Sequence, residues 1–350
     1  MAAMKTDLEA LIQEVTVAGS QLRGPDAETW AARLDRNHDP IQQGLAWLLE
    51  NDPTVGLELA LALPDYWHLR GQWAEGRAWL ERLLAAVRDP TPTLRCRGLS
   101  SLSGLAFRQG DNETARDRAN DALAIARGLG DARLIVGALT RLARVGLRDN
   151  NPRQTIALSR EAMALADAAG DEELSLQPLH CLAEATRMAG DYEGARELYR
   201  RSLDSNRKRG DDMVIGTETS NLAAVELRFG NVDAAVRLWR ESLALAHRTE
   251  NRYLLPYPVA GLGEAAAAQR DWDRAARLLG AASGLFKASG AAIDPADVPA
   301  YDSAVTATRA ALAAAFERAW SSGESMTADE IVAFAETPTA TPKGSPRGGT

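Results

Sequence analysis

The chain has 350 residues, of which 45% are hydrophobic and 25% are charged, and its formal net charge is −8. This composition is ordinary for a folded protein, and the acidic balance argues against direct nucleic-acid binding, which usually needs a basic patch. The two cysteines, Cys96 and Cys181, are predicted to be buried thiols in a reducing compartment rather than a disulfide pair. No signal-peptide pattern and no apolar stretch of 18 residues occurs, so the sequence predicts a cytoplasmic protein without membrane contact.

Residues 1–65 are helical in pattern but show no repeat, and Gly24-Pro25 and Asp52-Pro53 interrupt them. We interpret this segment as an N-terminal helical cap. His38-Asp39 is predicted to cap a helix that begins ahead of Pro40, with an acid–base pair as the alternative.

Three tryptophans follow at a spacing of six residues: Trp67, Trp73 and Trp79. Packing in the core of a first helix pair is the favoured interpretation, because exposed tryptophan is costly, and a ligand-binding aromatic cage is the alternative.

From Gly110 to Gly290 the turn signals repeat every 20 residues, and a weaker match at Gly71-Gln72 lies 39 residues earlier, so we interpret residues 66–290 as TPR-like repeats. One set, 40 residues apart, is Gly110-Asp111, Asn150-Asn151, Gly190-Asp191, Gly230-Asn231 and Arg270-Asp271; the other is Gly130-Asp131, Gly170-Asp171, Gly210-Asp211, Glu250-Asn251 and Gly290. A fixed period in this range is typical of stacked helical repeats. Each stretch between turns is predicted to form one helix of about 14–16 residues, with a left-handed residue ending one helix and Asp or Asn capping the next.

The residues within the period favour one repeat class. A leucine is followed by a small residue at equivalent positions, as in Leu182-Ala183, then by the turn and by an alanine such as Ala195. This order is typical of lengthened tetratricopeptide (TPR) units rather than HEAT or armadillo units. The predicted fold is therefore all-α: a TPR-like superhelix, or α-solenoid, of about six helix pairs.

The register is lost after Gly290. Two helices, Tyr301–Trp320 and Thr327–Ala335, are predicted to cap the C-terminal side over residues 291–336, with Thr327 and Glu330 forming a capping box. The Pro-, Gly-, Thr- and Ser-rich residues 337–350 are predicted to form a disordered tail.

The segments flanking the repeats carry a family resemblance. These segments are residues 37–47 (NHDPIQQGLAW), 66–81 (YWHLRGQWAEGRAWLE), 275–282 (AARLLGAA) and 316–335 (FERAWSSGESMTADEIVAFA). Over about residues 20–336 the chain resembles the TPR sensor region of STAND-class ATPase transcriptional regulators of actinobacteria, of the LuxR and antibiotic-regulatory-protein types. The resemblance implies an upstream ATPase module and a DNA-binding domain at one end of such a regulator.

The chain departs from that plan because it contains neither a G-x-x-x-x-G-K-[ST] phosphate loop nor a helix-turn-helix unit apart from the repeats. It therefore resembles the sensor arm alone, either as part of a larger regulator or as a free-standing gene product.

A concave face lined by the first helix of each pair is the candidate ligand site. Alignment of the repeats places on it Arg97, Arg108, Thr140, Arg144, Arg148, His180, Glu184, Arg187, Ser220, Arg228, Tyr257 and Glu264. Arginine binds carboxylates in a bidentate manner, so the pattern favours a groove for an acidic peptide or another anionic ligand. The alternative is a solvated face whose charges pair locally.

Other chemistry finds little support in the residues. His180 and Cys181 are adjacent and point about 100° apart on a helix, so they do not jointly ligate a metal, and no cofactor or catalytic constellation stands out. We expect a non-enzymatic sensor or protein-interaction domain of a transcriptional regulator, binding a protein, a peptide or a small effector. The alternatives are a free-standing TPR adaptor and a small-molecule-binding or biosynthetic protein on a helical scaffold.

Overall fold

The computed structural model describes residues 2–22, 26–289 and 293–337, and within these ranges it contains helices and turns but no strand. The predicted tail beyond Thr337 and the predicted breaks at Gly24-Pro25 and Gly290 lie outside the described residues. Backbone contacts divide the chain into two compact units, residues 1–185 (unit 1) and 186–350 (unit 2). The division into cap, repeats and C-terminal helices drawn from the sequence stays a prediction.

Unit 1 begins with six helices and continues with two regular helix pairs. The bounds are α1 (Ala2–Gln21), α2 (Ala27–Arg36), α3 (His38–Asn51), α4 (Pro53–Ala60), α5 (Pro64–Leu69), α6 (Trp73–Ala86), α7 (Pro92–Arg108), α8 (Asn112–Leu129), α9 (Ala132–Arg148) and α10 (Pro152–Ala168). Helix α11 (Glu172–Met188) includes the boundary between the units.

Unit 2 continues the pairing and ends in shorter helices. The bounds are α12 (Tyr192–Arg209), α13 (Asp212–Arg228), α14 (Val232–Arg248), α15 (Pro256–Ala268), α16 (Trp272–Ser289), α17 (Val298–Leu312), α18 (Phe316–Glu324) and α19 (Ala328–Glu336), with a 3₁₀ turn at Ala313–Ala315. The capping box of Thr327 and Glu330 at the start of α19 is confirmed.

The single helix predicted over Tyr301–Trp320 is wrong. The chain breaks at Ala313, whose φ is +46°, within an alanine-rich stretch that local propensity assigns to one continuous helix. The change in direction accompanies the burial of Phe316 in the core. Tertiary packing thus overrides local preference at this point.

The turns between helices have the predicted chemistry. Residues with positive φ end the helices at Gly110, Gly130, Asn150, Gly170, Gly190, Gly210, Gly230, Glu250 and Arg270. The Asp side chain that follows accepts a backbone N–H three residues on, as in Asp111 from Thr114 at 3.0 Å. Asn231 is an exception, because its amide instead donates to Glu226 at 2.7 Å.

The helices are longer than the 14–16 residues predicted. From α7 to α14 each has 17 or 18 residues. The left-handed residue and the N-cap together make the whole turn, so almost the entire 20-residue interval is helical.

The tryptophans of the first pair belong to the core, as favoured. Trp67 and Trp79 are buried. Their indole N–H groups donate to Glu75 at 3.3 Å and to Gln42 at 2.7 Å. Trp73 is half-buried against the same core.

Two smaller expectations for unit 1 have different outcomes. Cys96 and Cys181 are buried, as predicted, and neither forms a disulfide within the described residues. His38 and Asp39 do not cap their helix: Asn37 is the N-cap residue of α3, and the two residues form its first turn.

Small residues allow the helices to approach closely. Ser103 in α7 donates from its hydroxyl to the carbonyl of Ala115 in α8 at 2.7 Å. In unit 2, a Cβ added to Gly263 would lie 2.8 Å from Leu279, and one added to Gly261 would lie 2.1 Å from the Trp239 ring. These contacts leave no space for a larger side chain.

Gly261→Ala should therefore destabilise the protein although alanine favours helix. Overpacking against a rigid indole costs about 1–3 kcal/mol. Gly137→Ala is the matched control, since a Cβ there meets no atom within 4 Å and the change should stabilise by about 0.5–1 kcal/mol. Urea unfolding monitored by circular dichroism measures the unfolding free energy of each variant. An equal change in that free energy for Gly261→Ala and Gly137→Ala would contradict the packing argument.

Candidate ligand-binding faces of the two units

In unit 1, arginines from α7 and α9 form what we term the arginine face: Arg97, Arg108, Arg141, Arg144 and Arg148. Four of them were predicted from the sequence, and Arg141 was missed. The signal for Arg141 was present, because residues three and seven apart share one face of a helix, and Arg141 precedes Arg144 by three residues and Arg148 by seven.

The charges of three of these arginines act on His68 of α5. Its pKa is lowered to about 3, first by burial and then by the charges of Arg108, Arg144 and Arg141, against the opposing effect of Asp65. The imidazole is therefore neutral at physiological pH, and its buried Nδ1 has no hydrogen-bond partner in the described part of the chain. Positive charge from two successive repeats thus converges beside one uncharged ring.

The arginines differ in how firmly the protein holds them. Arg144 donates to the side-chain oxygen of Gln177. Arg148 donates to the carbonyl of Phe107 and stacks on its ring, 3.8 Å from the centroid. Arg148 is therefore held against α7, whereas Arg97 is exposed on that helix.

The other predicted positions of unit 1 are more enclosed. Thr140 is buried, and its hydroxyl donates to the carbonyl of Val136 in its own helix at 2.7 Å. Glu184 is also buried, and His180 is half-buried. The proton of the Thr140 hydroxyl is thus donated within its own helix.

Unit 2 brings together three predicted residues and one that the sequence did not indicate. Arg187, Arg228 and Glu264 gather with Asp297, which lies just ahead of α17, and we term this group the unit 2 charge cluster. Arg187 donates to Asp297 at 2.6 Å, and the Arg187 side chain is 7% exposed. An acid from the C-terminal segment therefore neutralises the most buried arginine of this face.

The charges of this cluster also affect the pKa of the Glu264 carboxyl. Burial and the negative charge of Asp297 raise its pKa to about 8, against the opposing effects of Arg187 and Arg228. The same carboxyl contributes, after burial and Asp302, to raising the pKa of Tyr301 to about 12. Glu264 is thus largely protonated at neutral pH.

Predicted residues of unit 2 also make contacts within the protein. Tyr257 meets Phe286 edge to face, with ring centroids 5.2 Å apart. Arg228 lies over the Tyr192 ring at 5.1 Å and donates to its hydroxyl at 3.2 Å. Ser220 is buried.

Among known proteins, no family model matches this chain. A relative in Mycobacterium tuberculosis strain H37Rv, named as an HTH-type transcriptional regulator, is 27% identical over 247 residues, which cover 68% of this chain and 27% of the relative. The chain thus spans about a quarter of the length of the curated relatives it matches.

Solved structures resemble the fold more broadly. NprR in complex with its cognate peptide NprX superposes with a TM-score of 0.56 at 14% identity, covering 89% of this chain and 85% of that one. A STAND protein with a tetratricopeptide repeat sensor from Pyrococcus horikoshii gives a TM-score of 0.53 at 14% identity, covering 76% and 41%. The predicted TPR-like helical-repeat class is confirmed.

In residues 2–22, 26–289 and 293–337, no helix combines the length and the apolar character that crossing a membrane requires. In the same ranges, no group of three His, Cys, Asp or Glu side chains is arranged to hold a metal ion.

The protonated state of Glu264 predicts a pH dependence of stability. Its pKa in the folded protein, about 8, lies above the ordinary value of 4.5, so the folded state binds more protons between these values and loses stability as pH rises through them. Glu264→Gln should therefore gain stability relative to the wild type between about pH 6 and pH 9, measured by urea unfolding at each pH.

Glu336→Gln, at an exposed glutamate at the end of α19, is the control. It should show the same pH dependence as the wild type. If the difference in unfolding free energy between Glu264→Gln and the wild type is the same at about pH 6 and at about pH 9, the raised pKa of Glu264 is contradicted.

Proposed function

We propose that the chain is the ligand-sensing, TPR-like region of a transcriptional regulator, and that the arginine face of unit 1 binds an acidic segment of a protein or peptide. The observation that carries this proposal is that α7 and α9 place Arg108, Arg141 and Arg144 where their charges all act on the buried, neutral His68. Guanidinium groups bind carboxylates with two parallel hydrogen bonds, and a partly desolvated site strengthens them.

The comparisons support the regulatory part of the proposal. The mycobacterial relative is named as a transcriptional regulator, NprR was solved with a peptide, and the Pyrococcus protein has a TPR sensor within a STAND ATPase. The flanking segments add the resemblance to actinobacterial regulators of the LuxR and antibiotic-regulatory-protein types. We therefore propose an ATPase module as the partner that receives the signal.

The proposed mechanism is a population shift without a catalytic step. A ligand on the arginine face stabilises one conformation of the unit 1 repeats, because it binds that conformation more tightly than others. Coupling to the ATPase then requires that the favoured conformation and the others also differ in their affinity for the ATPase module. A free-standing adaptor would use the same face without that coupling.

Selection from a displayed random-peptide library tests the binding proposal directly. Peptides selected on the wild type should be enriched in Asp and Glu. The double variant Arg108→Gln, Arg144→Gln should bind them at least about tenfold more weakly, since a charged hydrogen bond contributes about 1.5–3 kcal/mol and about 1.4 kcal/mol is tenfold.

Arg160→Gln is the matched control, because Arg160 is exposed on α10, and it should bind the selected peptides like the wild type. Fluorescence anisotropy at two salt concentrations measures the affinities. Selected peptides without an acidic bias, or equal binding by the double variant, would overturn the proposal.

A further inference from the structure

Unit 1 also contains a cavity of about 540 Å³ beside the arginine face. Residues of α1, α4, α5, α7 and α9 line it, together with the turn between α4 and α5. Its volume lies within the roughly 300–1,000 Å³ of small-ligand sites. The cavity therefore joins the irregular N-terminal helices to the first regular repeats at a place large enough for a small molecule.

Opposite charges line this cavity from different helices. Arg97 and Arg141 come from α7 and α9, and Glu58 and Asp65 come from α4 and α5. Neither Arg97 nor Glu58 makes a side-chain hydrogen bond or an ion pair within the described residues. The cavity thus offers one donor group and one acceptor group that the protein itself does not use.

The remainder of the lining is mostly apolar or small. Ile12 of α1 and Val55 and Leu59 of α4 contribute aliphatic side chains, and Thr16 and Ser20 contribute hydroxyls. Such a lining binds the body of a ligand by burial, while the few charged groups fix its orientation. The charged groups then decide which class of ligand fits.

We infer that this cavity binds a small zwitterion, with its carboxylate on Arg97 and Arg141 and its ammonium group on Glu58 and Asp65. A purely anionic ligand would meet two carboxylates and a purely cationic one two guanidinium groups, and each mismatch carries a repulsive cost. A molecule with both charges on an apolar body satisfies all three parts of the lining. Apolar amino acids and their short peptides have this chemistry.

This site goes beyond the proposed function and does not depend on it, although Arg97 and Arg141 belong both to the cavity lining and to the arginine face. The peptide proposal is tested at Arg108 and Arg144, neither of which lines the cavity. The zwitterion proposal is tested at Arg97 and Glu58. The experiments can therefore contradict the peptide proposal without contradicting the zwitterion proposal, and the reverse.

Isothermal titration calorimetry of the full chain with L-leucine and with the dipeptide Leu-Leu tests the inference and distinguishes the two sources of zwitterion. At least one of them should bind. N-acetyl-leucine lacks the ammonium group and leucinamide lacks the carboxylate, so both should bind at least about tenfold more weakly than leucine if leucine is the ligand, as expected for loss of one charged hydrogen bond. The correspondingly blocked dipeptides serve the same purpose for Leu-Leu.

Substitutions in the protein test which side chain binds the carboxylate and which binds the ammonium group of the ligand. Arg97→Gln should lose the preference for the zwitterion over its amide, and Glu58→Gln should lose the preference over its acetylated form. Arg95→Gln and Glu50→Gln, at exposed residues that do not line the cavity, should bind like the wild type.

Three results would overturn the inference. One is that neither zwitterion binds; another is that the blocked forms bind as tightly as the zwitterion. The third is that Arg97→Gln and Glu58→Gln leave the affinity unchanged. The blocked ligands need no substitution, so the inference remains falsifiable even if a variant fails to fold.

Discussion

Close contact between helices at small residues is the constraint on which both candidate faces depend. Gly261 leaves room only for the Trp239 ring, and Gly263 only for Leu279. Because neighbouring helices have so little freedom to slide or rotate, a residue's place in the 40-residue period fixes the face on which it lies. The charges of arginines on one face of α7 and α9 therefore act on the same imidazole, His68.

The turns hold this register even where glycine is missing. Asn150, Glu250 and Arg270 have φ of +55°, +50° and +61° at positions where other turns have glycine. A left-handed non-glycine residue costs on the order of 1 kcal/mol, so the packing on either side must outweigh that cost. Helix packing, more than local preference at each turn, thus keeps the period constant.

The sequence predicted the helix pairs, their turns and most of the arginine face because all three repeat. Arg141 was missed although its spacing along α9 contained the signal. By contrast, the repeat pattern could not predict the residues from other parts of the chain that lie beside these arginines. Glu58 lies in the irregular N-terminal helices, and His68 lies in the first helix pair, ahead of the regular turn signals that begin at Gly110. Asp297 lies after the register ends, so its contact with Arg187 depends on tertiary packing alone.

Equivalent repeat positions have acquired opposite electrostatic roles in the two units. Arg144 of unit 1 and Glu264 of unit 2 lie three periods apart; Arg144 helps to keep His68 neutral and adds positive charge to its face. In unit 2, Asp297 already binds Arg187, and Glu264 remains largely protonated because burial and Asp297 outweigh the attraction of the nearby arginines. An acidic ligand would have to displace an internal carboxylate from Arg187. The desolvation cost of that exchange is not offset by a new ion pair, since one buried pair only replaces another. Arg187 is therefore poorly suited to recognise an external acid.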